Sequence, residues 1–263
     1  ATNITHAGIA TNTGSATTVL PGAQTISFTP PGDQTYGVAP VALVASASSG
    51  LTVAFSVLSG PASITNSTGL LITGAGTVSV RATQPGDANW NAATPVTNTI
   101  TVATRVLTVA SGLTALNKTY DTTATATISS NAVVLSGVLA ADAGRVALST
   151  NGYSASFNSA AIGTAKPVTV TGLSLTGAGS TNYTLTQPTL SADIMAGSVA
   201  RLAFATQPGS AAAGSPFGQQ PVVRTQDAYG NDSVLGLGGS LEVTAALQTG
   251  SGPLQGTTVL NIG

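Results

Sequence analysis

Cysteine is absent from this 263-residue chain. Its absence excludes a disulfide framework, a thiol nucleophile and thiolate metal ligation. Charge is almost absent as well. Charged residues make up 6% of the chain and the net charge is -1, where a soluble domain ordinarily carries roughly 25% charged residues. The charges stand singly, so there is no basic stripe for phosphate and no polybasic segment for an anionic membrane. Between Asp33 and Arg81 no charged residue occurs, yet Pro40, Pro61 and many Gly and Ser interrupt that stretch and exclude a membrane span. The chain opens at Ala1 without a basic-then-apolar leader, which leads us to expect a removed signal or an internal segment.

What the chain does have is hydrophobicity without charge: 42% apolar residues, with Thr, Ser and Asn as the main polar partners. Such a composition supports packed cores and argues against disorder. The apolar residues alternate. Val53, Phe55 and Val57 share one face, as do Val78 and Val80, Ala155 and Phe157, Val168 and Val170, and Leu241, Val243 and Ala245. Period two with β-branched residues is the strand signature. Turn chemistry breaks the runs at Pro31-Gly32-Asp33, Pro85-Gly86-Asp87, Asn151-Gly152 and Tyr229-Gly230-Asn231. Only Leu135 to Val146 suggests a helical turn. The expected fold class is all-β, as tandem Ig-like antiparallel β-sandwich domains.

A local pattern occurs twice: Thr-Gly-Ala-Gly, six residues, then Thr-Gln-Pro, from Thr73 to Pro85 and from Thr176 to Pro188. The equal spacing predicts related strand-turn-strand units. Further stretches carry a resemblance. Gln34-Thr35-Tyr36-Gly37-Val38-Ala39-Pro40, Ala47-Ser48-Ser49-Gly50-Leu51 and Pro85 to Ala93 resemble the bacterial Ig-like MBG repeats. Asn117-Lys118-Thr119-Tyr120-Asp121-Thr122-Thr123 and Gly179 to Leu185 resemble the YDG-type repeats of bacterial surface proteins, without the usual Gly after Asp121. Leu202 to Pro208 and Gln226 to Asn231 resemble a third bacterial Ig-like repeat.

The organisation expected is an N-terminal extension over 1–23, an MBG-type domain over 24–104, a YDG-type domain over 105–197 and an incomplete Ig-like domain over 198–263. The resemblance implies an extracellular, cell-surface structural protein: a rod-like segment or a self-assembling subunit of a filament, stalk or adhesin. Its expected partners are copies of itself, joined head to tail by strand donation from residues 1–23, or other surface modules. The alternative is an adhesin module that recognises a glycan or host protein. No nucleic acid partner and no membrane span is expected.

No catalytic, cofactor-binding or metal site is expected. The single histidine, His6, has no partner motif for a triad. Asp33, Asp87, Asp121, Asp227 and Asp232 sit in turns, where Asp bonds its own backbone, and Asp142 reads as a turn or cap residue. Asp227, Asn231 and Asp232 have oxygen ligands but not EF-hand spacing. Lys118 and Lys166 raise the chemistry of a lysine-asparagine isopeptide, with Asp121 near Lys118 in sequence; the solvated reading of these lysines is favoured. Trp90 is expected as a core plug at a sandwich corner. Tyr36, Tyr120 and Tyr183 are read as structural. Sequons begin at Asn3, Asn66, Asn117, Asn182 and Asn231.

Overall fold

The computed structural model describes residues 20–246, 248–249 and 254–262. His6, Asn3 and most of the proposed N-terminal donor segment lie outside the described residues. The chain forms two compact units. The first holds the described residues up to Val106 together with Leu139–Arg145 and Gly177–Thr184. The second holds Leu107–Val138, Val146–Thr176 and the described residues from Leu185 onward.

The first unit is a two-layer antiparallel sandwich. Its strands are β1 (Ile26–Thr29), β2 (Gln34–Thr35), β3 (Val41–Ala42), β4 (Val44–Ala47), β5 (Ala54–Ser59), β6 (Ala62–Thr65), β7 (Gly69–Ile72), β8 (Gly76–Thr83) and β9 (Val96–Ala103). One layer runs β2-β9-β8-β5. In the other, β4 pairs with β1, while β3, its continuation across Leu43, pairs with β7, which pairs with β6. The alternation in sequence fixes which side chains enter the gap. Val78, Val80 and Ala82 of β8 and Ile100 and Val102 of β9 are buried, as are Ile26, Phe28, Leu43 and Leu70 of the other layer. Phe28 meets Phe55 with ring centroids 5.3 Å apart. Each such Val, Leu, Ile or Phe side chain removed from water contributes about 1.5–3 kcal/mol.

The second unit contains most of β10 (Arg105–Ala115), then β11 (Lys118–Thr119), β12 (Ile128–Ser136), β13 (Ala147–Ser149), β14 (Ser154–Phe157), β15 (Gly163–Thr171), β16 (Ser174–Thr176), the end of β17 (Tyr183–Leu185) and β18 (Thr189–Met195). The sheet orders are β11-β18-β15-β14, β12-β10-β17 and β13-β16. The core draws Ala155, Phe157, Val168, Val170, Ala192 and Ile194 from the four-stranded sheet and Leu113 and Ile128 from β10 and β12. Two ribbons follow: β19 (Arg201–Thr206) with β20 (Val222–Gln226), and β21 (Glu242–Thr244) with β22 (Val259–Asn261). Phe204 on β19 is 55% exposed, whereas Phe28 on β1 is 8% exposed.

The two units share a device. In each, a two-residue strand lies parallel to the last strand of the four-stranded sheet: β2 on β9 and β11 on β18. The route differs. β5 and β8 are separated by β6 and β7, whereas β14 and β15 are consecutive. The repeated Thr-Gly-Ala-Gly pattern therefore does not mark equivalent units. Its first copy leads into β8, an inner strand; its second leads into a one-turn 3-10 helix, Ser180–Asn182, and the short β17. Thr, Gly and Ala place no large side chain in a core, so the motif does not determine sheet position. The helical turn expected between Leu135 and Val146 is a 3-10 helix at Ala140–Asp142. Among the described residues, no helix is long and apolar enough to cross a membrane.

Candidate functional site

The most developed polar constellation lies in the first unit, directly after β2. Tyr36 extends the parallel ladder by donating its N–H to Ala103 O at 2.9 Å. Gly37, at φ +94°, then turns the chain away. The phenol of Tyr36 is buried and donates to Asp142 Oδ2 at 2.8 Å. Tyr183 donates to the same oxygen at 2.7 Å, while the Leu139 N–H donates to the Tyr183 hydroxyl at 3.1 Å. The two tyrosine rings meet edge to face, 5.5 Å apart at 86°. Asn182 joins the group by accepting the Ala75 N–H at 2.9 Å on its Oδ1.

This arrangement overturns the turn-or-cap reading of Asp142. The residue does end the 3-10 helix, but its carboxylate is the buried acceptor for two phenols whose sequence positions are far away. Burial, reinforced by the hydrogen bond and charge of Asp142, pushes the Tyr36 phenol up to about 12. Tyr183 is raised too, first by burial, although the Leu139 N–H opposes the shift. Both phenols are thus held as proton donors. An activated nucleophile or base needs the opposite shift.

A related group follows β11 in the second unit. Tyr120 donates its N–H to Met195 O at 2.8 Å, as Tyr36 does to Ala103. Its ring meets Tyr229 at 5.4 Å and 77°. Near Tyr229 in sequence, Asp227 is a second buried carboxylate. It accepts the N–H groups of Gly197, Tyr229 and Asn231 at 3.0, 2.9 and 2.9 Å, and the Asn231 amide on both oxygens. Burial alone would raise its pKa, but these donors outweigh burial and hold it at about 2. Donor-lined oxygens present N–H dipoles where a cation would need lone pairs. Asp232 instead pairs with Arg224 and takes the Gln226 amide at 3.3 Å. Among the described residues, no three metal-capable side chains come together.

The remaining candidates have partners of their own. Lys118 Nζ lies 2.6 Å from Asp121 and donates to Thr123 O, Thr123 Oγ1 and Thr125 O. Its hydrogen bond, with those from Thr123, lowers Asp121 to about 2. This nest of oxygens around the ammonium is an ion pair in a turn; the neighbouring Asn117 uses its Oδ1 on the Asp193 N–H at 2.8 Å instead. Lys166 Nζ donates to Ser159 Oγ at 2.8 Å. Trp90 is half-buried rather than a core plug. It covers Gly22, where a Cβ would lie 3.1 Å from the indole ring, and Gly22 exchanges backbone bonds of 2.8 Å with Asn89 and Asn91. Under it, buried Gln24 donates to Gln84 Oε1 at 2.6 Å and Asn91 O at 2.7 Å.

Against known proteins, residues 101–190 match the YDG domain. No curated protein matches the chain. Among solved structures, the chain is similar to the crystal structure of the S-layer protein rSbsC(31-844), at 15% identity over 91% of this chain and 36% of that one, with a TM-score of 0.26. It is also similar to domains 1-6 of the surface layer protein SbsC, at 12% identity over 86% of this chain and 35% of that one, with a TM-score of 0.23. The chain thus spans about a third of the length of these structures.

Proposed function

We propose that this chain is a non-enzymatic structural segment of a bacterial cell-surface protein, built of tandem Ig-like repeats and associating with copies of itself. The observation that carries the reading is the chemistry of the sheet edges. The outer strands β5, β6 and β12 contain no charged side chain, whereas the two-residue outer strand β11 carries Lys118. Soluble monomeric sheets block edge pairing with Lys, other charges or Pro. Here the edges offer Ser, Thr, Ala and Val beside backbone groups with no neighbouring strand in their own sheet. The resemblance of residues 105–196 to surface-protein repeats, and the YDG match over 101–190, support the extracellular setting. The strand order of the first unit supports the Ig-like reading.

The test is association of the full chain. Sedimentation over a concentration series, with electron microscopy of the concentrated sample, should reveal assemblies. Ser56→Lys on β5 and Ser130→Lys on β12, both at exposed positions, should shift the association midpoint at least roughly tenfold to higher concentration, about 1.4 kcal/mol of association free energy. A chain that stays monomeric throughout would overturn self-association and favour a binding module with loops as its recognition surface.

A further inference from the structure

The strongest chemical singularity outside the tyrosine-aspartate groups is the turn between β13 and β14. Asn151-Gly152 is the only Asn-Gly dipeptide in the chain. Both residues are exposed. Gly152 has φ +78°, a conformation in which a side chain would be strained. The only bond closing the turn, Tyr153 N–H to Thr150 O, is 3.5 Å long, at the weak end of hydrogen-bond geometry. The Asn151 backbone N–H is held by Ser149 Oγ at 3.3 Å. The Asn151 carboxamide and the Gly152 N–H, by contrast, make no hydrogen bond among the described residues.

We infer that Asn151 is a site of spontaneous covalent modification, an intramolecular deamidation that places a carboxylate on this turn. The Gly152 amide nitrogen loses its proton to hydroxide and attacks the Asn151 Cγ. The new C–N bond closes a five-membered succinimide, the Cγ–Nδ2 bond breaks, and the nitrogen leaves as ammonia. Water then opens the ring at either carbonyl. One opening gives Asp; the other gives isoaspartate, with the main chain running through the side-chain carbon. The sum is amide plus water to acid plus ammonia, with no oxidant or metal.

The fold contributes by what it leaves undone. Asn182 and Asn231 commit their amide groups to other residues, as does Asn117. Each is followed by a residue bulkier than glycine, so attack by the next nitrogen is also more hindered. At Asn151 neither restraint exists, and the weak turn bond lets the backbone swing the nitrogen toward Cγ. The product has structural weight. Gly152 O packs so closely on β15's end that a Cβ on Gly172 would fall 2.7 Å from it, and the methylene that isoaspartate inserts must displace that contact. It also adds a negative charge to a chain whose net charge is -1.

Peptide mapping by mass spectrometry of the folded full chain, aged in mildly alkaline buffer, tests the proposal. The Asn151 peptide should gain the mass of an acid for an amide roughly tenfold or more faster than any other asparagine-containing peptide, a barrier difference near 1.4 kcal/mol. The conversion should slow in mildly acidic buffer, and a doublet from Asp and isoaspartate should appear on chromatography. Asn151→Gln should abolish the change at this peptide, since ring closure there would need six members. Gly152→Ala should slow the conversion at Asn151; if that variant disturbs folding, the same ageing of urea-unfolded wild type separates chemistry from fold. An Asn151 peptide that keeps its amide while another asparagine in the folded chain converts would overturn the assignment, as would conversion insensitive to pH.

Discussion

At the scale of single residues, the buried acceptor Asp142 makes the sharpest energetic statement. A buried carboxylate is tolerated only where donors replace its lost water. Tyr36 and Tyr183 both supply one to the same oxygen. Tyr36→Phe or Tyr183→Phe alone should each cost about 1.5–3 kcal/mol, the range for a hydrogen bond to a charged group. The double variant should cost more than the sum, because the second deletion removes the last of the two phenols from Asp142 Oδ2. Trp90, the only tryptophan, sits in the first unit, so its fluorescence in a urea titration reads this unit separately. The same tyrosines set an alkaline limit. The Tyr36 phenol ionises near 10 when unfolded and about 12 when folded. The folded state holds the proton more tightly, so its stabilisation is complete below pH 10 and is lost as pH rises toward 12. None of this is visible in sequence: Ala141-Asp142-Ala143-Gly144 has the composition of a turn, and its partners are remote.

At the scale of elements, the sequence was most informative where one face is dry. Val78, Val80, Val168 and Val170 are almost completely buried, as their alternation required. It was least informative where a strand has two half-wet faces. Leu241 is expected to face inward with Val243, yet Leu241, just before β21, is 43% exposed. Turns were legible by type but not by duty. Pro85-Gly86-Asp87 is a turn, and it also holds Trp90 over Gly22: Asp87 Oδ1 accepts the Asn89 and Trp90 N–H groups at 2.8 and 2.9 Å. Gly86 has φ +82°, and a Cβ there would press into the Trp90 carbonyl. Gly86→Ala should therefore destabilise the first unit by about 2 kcal/mol or more, through left-handed strain plus the clash. A red-shifted Trp90 emission in the folded variant would report the indole lifting from Gly22; an unshifted spectrum with unchanged urea midpoint would contradict this account.

At the scale of the whole chain, stability rests on apolar layers and hydrogen bonds more than on ion pairs. The ion pairs identified are Lys118–Asp121 and Arg224–Asp232, both with an exposed carboxylate. Exposed pairs of this kind contribute little and are screened by salt. Raising sodium chloride from low to physiological strength should therefore move the thermal midpoint by no more than about 2 °C, read by calorimetry. A large loss of stability would mean that a charge network carries the fold. The fold class was legible from composition and period because both act along the whole chain. Leu139–Arg145 and Gly177–Thr184 belong to the first unit, which no local pattern announces.

The two-residue parallel strands acquire a further meaning when the molecule is pulled. β2 and β9 run in the same direction, so tension entering before Gln34 and leaving after Ala103 drags them in opposite senses along their length. Their hydrogen bonds, with the Tyr36 N–H bond that extends them, then bear the load together in shear; they are not peeled one by one. The same holds for β11, Tyr120 and β18. In this geometry two-residue elements are placed to resist force in shear.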